Sequence, residues 1–154
     1  MTNSLHDAAN AAFTGRRILV VEDEAIVAMM LEEMLSDLGC IVVGPAMTVR
    51  EALAMVEAQP LDLAILDVNV SREPVYPVAE LLRSRNVPVI FSTGYGAEEQ
   101  RSRYSQFRDC TVLPKPYDSD DLERVLRKVL GDQKPAVADK DAENSSLRAA
   151  VVSS

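Results

Sequence analysis

Five short runs of nearly unbroken apolar residues, at 17–21, 40–43, 61–66, 87–92 and 110–113, recur along the chain, and only Asp62 interrupts the third. Continuous rather than alternating hydrophobicity implies strands buried on both faces, as in a parallel sheet. Amphipathic stretches separate the runs. In the first, Ile26, Val27, Met30, Leu31, Met34, Leu35 and Leu38 recur at spacings of one, three and four, which predicts one inward stripe ending at Gly39. The second begins with a capping box, Thr48 to Glu51, continues with Ala52, Leu53 and Val56 inward, and stops at Pro60. A third covers roughly 76–84, and a last one runs from an Asp118 cap through Leu122, Val125, Leu126 and Val129 to Gly131. The segment 97–107 is mostly polar, with Tyr104 and Phe107 as its large anchors, and predicts a short, weakly held helix. The alternation predicts an α/β fold, a doubly wound five-stranded parallel sheet with five helices on its two faces.

With 154 residues, 47% of them hydrophobic, one core is expected. The formal net charge of -8 repels nucleic-acid phosphates and anionic lipid, which argues against direct DNA or membrane binding. No stretch approaches the roughly 18 apolar residues of a membrane span, and the start of the chain lacks a signal-peptide pattern, so a cytoplasmic chain is expected. Cys40 and Cys110 lack CxxC spacing and are read as buried structural thiols. The expected boundaries are a flexible leader at 1–15, a folded domain at 16–131 and a disordered tail at 132–154, too short for a DNA-binding or catalytic domain.

In an open parallel sheet, ligands bind beyond the carboxyl ends of the strands. There the sequence places Glu22 and Asp23, Asp67, Thr93 and Lys115, each directly after or close behind its apolar run. Singly, each has an ordinary explanation as a helix-start charge, a turn former or a surface amine. Together they bring three mutually repelling carboxylates, a hydroxyl and an ammonium to one edge, a set that calls for a small hard cation, best read as Mg²⁺. Such a site suits in-line attack of Asp67 on a phosphoryl group, with Lys115 and Thr93 meeting the phosphoryl oxygens.

These motifs, VVEDE at 20–24, LDVN at 66–69, STG at 92–94 and PKP at 114–116, resemble the receiver (CheY-like) family of response regulators over about residues 16–131. The resemblance implies a flavodoxin-like fold with strand order 2-1-3-4-5. It implies Asp67 as phospho-acceptor from a histidine kinase or phosphotransfer protein, Asp23 as a direct Mg²⁺ ligand, Glu22 acting through water, and the backbone carbonyl of Asn69 in the metal shell. It further implies Thr93 as switch hydroxyl, Lys115 as phosphate-binding lysine, and a cis bond before Pro116. A narrower resemblance, carried by DVNVSREPVYPVAELL at 67–82 and FSTGYG at 91–96, is to the alphaproteobacterial single-domain regulators with the FATGUY motif, with Ser92 in place of the motif's alanine. That group implies kinases of the HWE or HisKA2 type, often in general stress-response circuits.

One departure stands out: Val112 occupies the position, three residues before the lysine, where many receivers carry a switch aromatic. Tyr95, two residues after Thr93, is the expected substitute, against the plainer reading of a packed loop tyrosine. Two other readings compete. A haloacid-dehalogenase-type phosphatase normally has a second Asp two residues after its nucleophile, where this chain has Asn69. A degenerate receiver serving only as a scaffold predicts the loss of a metal or switch residue, and none is lost. His6, the only histidine, lies in the leader and is read as uninvolved. Output is expected through contacts with a separate, unidentified protein, by a face formed from the fourth helix, fifth strand and fifth helix, or by draining phosphate from a shared kinase.

Overall fold

The structure is a computed structural model that describes residues 12–94, 107, 109–131 and 136. Five strands, β1 (Arg17–Val21), β2 (Ile41–Ala46), β3 (Leu63–Asp67), β6 (Val89–Thr93) and β7 (Thr111–Pro114), form one sheet in the order β2-β1-β3-β6-β7, and all four pairings are parallel. Counted over these five alone, the order is 2-1-3-4-5, as expected. The remaining two strands, β4 (Asn69–Val70) and β5 (Glu73–Pro74), make a separate antiparallel hairpin. The described helices are α1 (Ala25–Asp37), α2 (Val49–Ala58), α3 (Tyr76–Ser84) and α4 (Ser119–Leu130). The helix expected at 97–107 lies outside the described residues except for Phe107, which is buried and stacks on Tyr76 with ring centroids 5.4 Å apart.

Burial on both faces explains the continuous apolar runs of the central strands β1, β3 and β6. Leu19, Val21, Ala64, Leu66 and Phe91 point to one side, against Val56 of α2 and Val78 and Leu82 of α3. Their neighbours Ile18, Val20, Leu63, Ile65 and Ile90 point to the other, against Leu31 and Leu35 of α1 and Leu122 and Leu126 of α4. Successive residues of a strand face opposite ways, so a polar residue at any of these positions would sit in one core or the other. Each such Val, Leu, Ile or Phe side chain contributes about 1.5–3 kcal/mol by leaving water.

Asp62, the break in the third run, is buried beside the start of β1 and accepts the Arg17 N–H at 2.7 Å and the Ala136 N–H at 2.6 Å, with Arg16 Nη1 3.7 Å away. It therefore serves the amino-terminal edge of the sheet, opposite the strand ends singled out above. Of the leader expected at 1–15, the described residues 12–15 pack against the domain. Phe13 is fully buried among the α1 and α4 side chains, Arg127 lies over its ring, and the Gly15 N–H donates to the Gly39 carbonyl.

Two local expectations are also corrected. The inward stripe of α1 is narrower than expected: Ile26 is 74% exposed and Met30 51%, while Ala28, Leu31 and Leu35 are buried. The helix is apolar around more of its circumference than the sheet can cover. At α2, Thr48 Oγ1 accepts the Glu51 N–H as expected, but Glu51 Oε2 accepts from Met47 rather than from Thr48 itself. A reciprocal box of the expected kind forms at α4 instead, between Asp118 and Asp121.

Candidate phosphoryl-acceptor site

The carboxyl end of β1 delivers Glu22 and Asp23, and β3 ends on Asp67. Parallel pairing of β1 with β3 sets Val21 beside Leu66, so the residues that follow emerge side by side at one edge. One carboxylate oxygen from each of Glu22, Asp23 and Asp67 lies within 4.8 Å of the others. β7 pairs with β6 up to Thr93 opposite Pro114, and the Lys115 N–H donates to the Thr93 carbonyl at 2.9 Å. That pairing aims Lys115 across the site, where its Nζ lies 3.0 Å from Glu22 Oε2 and 3.6 Å from Asp67 Oδ2. The Lys115-Pro116 bond is cis, as expected, and Gly44-Pro45 is cis as well.

Partial burial of like charges shows in the titration of the groups. Burial, together with repulsion from Asp67 and against the Lys115 hydrogen bond, pushes the Glu22 carboxyl up to about 7. Burial also raises Asp67, aided by the charge of Asp23 and opposed by Lys115 and Glu22. For Lys115, burial disfavours the ammonium, but Glu22, Asp67 and Glu24 outweigh it and the net shift is upward. One lysine thus faces three carboxylates and leaves surplus negative charge. A hard divalent cation with oxygen ligands fits this donor set, with Asp23, Asp67 and Glu22 as the side chains to hold it.

Of the other residues singled out from sequence, Thr93 is buried at the end of β6, Asn69 opens the hairpin on the exposed side, and Tyr95 lies outside the described residues. Sequence reasoning missed two neighbours. The Ser71 N–H, at the hairpin tip, donates to Asp23 Oδ2 at 2.9 Å. Tyr117, its hydroxyl raised chiefly by burial, lines an apolar hollow of about 370 Å³ with Val27, Met30, Met34, Lys115 and Pro116. The exposed apolar residues of α1 were the available signal for this hollow.

Residues 18–127 match the response regulator receiver domain. The chain belongs to that family. It is similar to the transcriptional regulatory protein PdtaR of Mycobacterium tuberculosis, 32% identical over 108 residues, which are 70% of this chain and 53% of PdtaR. The chain thus spans about half the length of this curated relative. Among solved structures, SdrG from Sphingomonas melonis Fr1 is 42% identical with a TM-score of 0.65, over 77% of this chain and 98% of SdrG. The receiver domain of a sensor histidine kinase from Pseudomonas aeruginosa PAO1, solved with a magnesium ion in its active-site cleft, is 26% identical with a TM-score of 0.67, over 77% of this chain and all of that one. The likeness to SdrG agrees with the narrower alphaproteobacterial resemblance. Among the described residues, no helix of this receiver is long and apolar enough to cross a membrane.

Proposed function

We propose that this receiver accepts a phosphoryl group on Asp67 from a histidine kinase or phosphotransfer protein, in a Mg²⁺-dependent reaction, and signals by contact with another protein or drains phosphate from the kinase. The observation that carries this reading is the cluster of Glu22, Asp23 and Asp67 oxygens within 4.8 Å, with Lys115 Nζ beside Asp67. An Asp67 oxygen attacks phosphorus in line, the new O–P bond forms as the P–N bond to the donor imidazole breaks, and the electron pair leaves with the imidazole. Mg²⁺, when bound, supplies positive charge that offsets the negative charge gathering on the phosphoryl oxygens. Lys115 exchanges Asp67 and Glu22 for a phosphoryl oxygen, and the Thr93 hydroxyl donates to another. The chain is in this reading no enzyme beyond catalysing its own phosphorylation and dephosphorylation.

The donor's surface is α1. Ile26, Met29 and Met30 are exposed on the helix that begins just after Asp23, and the hollow between α1 and Tyr117 opens beside Lys115. A helical phosphodonor seated there brings its histidine toward Asp67, and the resemblance of residues 67–82 and 91–96 to the FATGUY-motif regulators supports a kinase of the HWE or HisKA2 type acting in stress signalling. The test is phosphotransfer from candidate kinases to wild-type and Asp67→Ala protein with Mg²⁺. Label on the wild type alone is expected, and equal labelling of the variant would sink the reading.

A further inference from the structure

Between the proposed phospho-acceptor and α3 the chain inserts the β4–β5 hairpin, and this hairpin is tied to the acidic edge. Its strands pair Asn69 with Pro74 and Val70 with Glu73, and the Val75 N–H closes its base on the Val68 carbonyl at 2.9 Å. Val70 and Val75 are fully buried, so the base is fixed to the core. Its turn is made by Ser71 and Arg72, at φ 50° and 66°, both in the left-handed region that non-glycine residues seldom occupy. What holds that turn is visible at Ser71. Its N–H donates to Asp23 Oδ2 at 2.9 Å, and its hydroxyl donates to the Met47 carbonyl at 2.8 Å, in the segment between β2 and α2.

We infer that Ser71 is a positioning residue for Mg²⁺ binding, holding Asp23 in its ligating orientation from the tip of a pre-formed hairpin. The inference deepens, and rests on, the reading of the acidic edge as a metal site. Glu22 and Asp67 are both within reach of Lys115, whereas Asp23 is oriented by the Ser71 amide. An amide on Oδ2 restricts rotation of the Asp23 carboxylate while one of its oxygens stays with those of Glu22 and Asp67, which lowers the ordering cost of binding. The same hairpin carries Asn69, the expected carbonyl ligand, so one rigid element positions two contributions to the metal shell. The bond to Met47 keeps the tip in place.

The test compares wild type with Ser71→Ala, Ser71→Gly and Ser71→Asn, by calorimetric Mg²⁺ titration and by the Ser71 amide resonance in ¹H–¹⁵N spectra. Groups that orient a metal ligand typically change affinity by about 10–100-fold, and Ser71→Ala, which loses the Met47 bond but keeps the N–H, is expected to weaken Mg²⁺ binding by about tenfold. Ser71→Asn, which tolerates the left-handed conformation and has a side-chain donor, restores most of the affinity. Ser71→Gly keeps the N–H without strain and falls between them. In wild type the Ser71 amide shifts in step with Mg²⁺ occupancy. A merely structural serine would lower the urea midpoint of Ser71→Ala while leaving Mg²⁺ affinity unchanged. That outcome, with wild type binding Mg²⁺, overturns the inference alone; a wild type that binds no Mg²⁺ overturns the metal-site reading and the inference with it.

Discussion

Lys115 donates to Glu22 at 3.0 Å and stands farther, at 3.6 Å, from Asp67. Its ammonium is therefore held by the more buried carboxylate, and in the proposed reaction it has only a short distance to travel to a phosphoryl group on Asp67. Replacing it with alanine separates two roles. The Lys115→Ala variant removes the internal cation from three clustered carboxylates, so Mg²⁺ is expected to bind several-fold tighter by calorimetry. Phosphorylation by a small-molecule donor slows by about 100-fold or more, the scale of losing one donor to a developing negative charge.

The upward shift of Glu22 to about 7 gives a pH dependence with a definite sign. Between the ordinary carboxylate range and pH 7, the folded metal-free protein keeps a proton that the unfolded chain releases. Stability from this group is fully present at low pH and declines as pH rises toward 7. In the proposed metal site Mg²⁺ competes with that proton, so its affinity is expected to rise from pH 6 to pH 8, with protons released on binding. Urea unfolding at pH 5 and pH 8, with and without Mg²⁺, checks both signs: the stabilisation by Mg²⁺ is larger at pH 8.

Phe13 anchors a segment that composition alone would leave loose. Its side chain is fully buried against α1 and α4. Phe13→Ala is expected to cost about 3 kcal/mol, the low end for emptying an aromatic core site, seen as a lowered urea midpoint. A change below about 0.5 kcal/mol would place the residue outside the core.

Substitution on the exposed face of α1 distinguishes the proposed docking from chemistry. Met30→Asp, at a half-exposed position, leaves stability within about 0.5 kcal/mol. Transfer from the kinase is expected to fall at least several-fold, while phosphorylation by phosphoramidate stays at the wild-type rate. Equal loss with both donors would assign Met30 to the folding of the site instead.

The central strands β1, β3 and β6 were legible because burial on both faces leaves no room for alternation, and the strand-end residues were legible because they follow the apolar runs directly. Other features left weaker traces. The α1 stripe is narrower than its sequence suggests because a helix with surplus apolar residues does not disclose which of them the sheet covers, and Ala28 is buried where Ile26 is not. The β4–β5 hairpin had no turn signal, since Ser71 and Arg72 occupy positions where glycine or asparagine is usual. The Ser71 link to Asp23 joins a backbone amide to a carboxylate 48 residues away, and a backbone donor is the same at every residue but proline. Phe13 stood alone in a polar segment, with no periodic partners to mark it as core.

Asp67 is the proposed acceptor of the phosphoryl group, and intact-mass measurement after incubation with phosphoramidate and Mg²⁺ checks this, with wild type compared against Asp67→Ala. One alkali-labile phosphoryl group on the wild type and none on the variant is the expected result, whereas the same gain on Asp67→Ala, or none on the wild type, would contradict it.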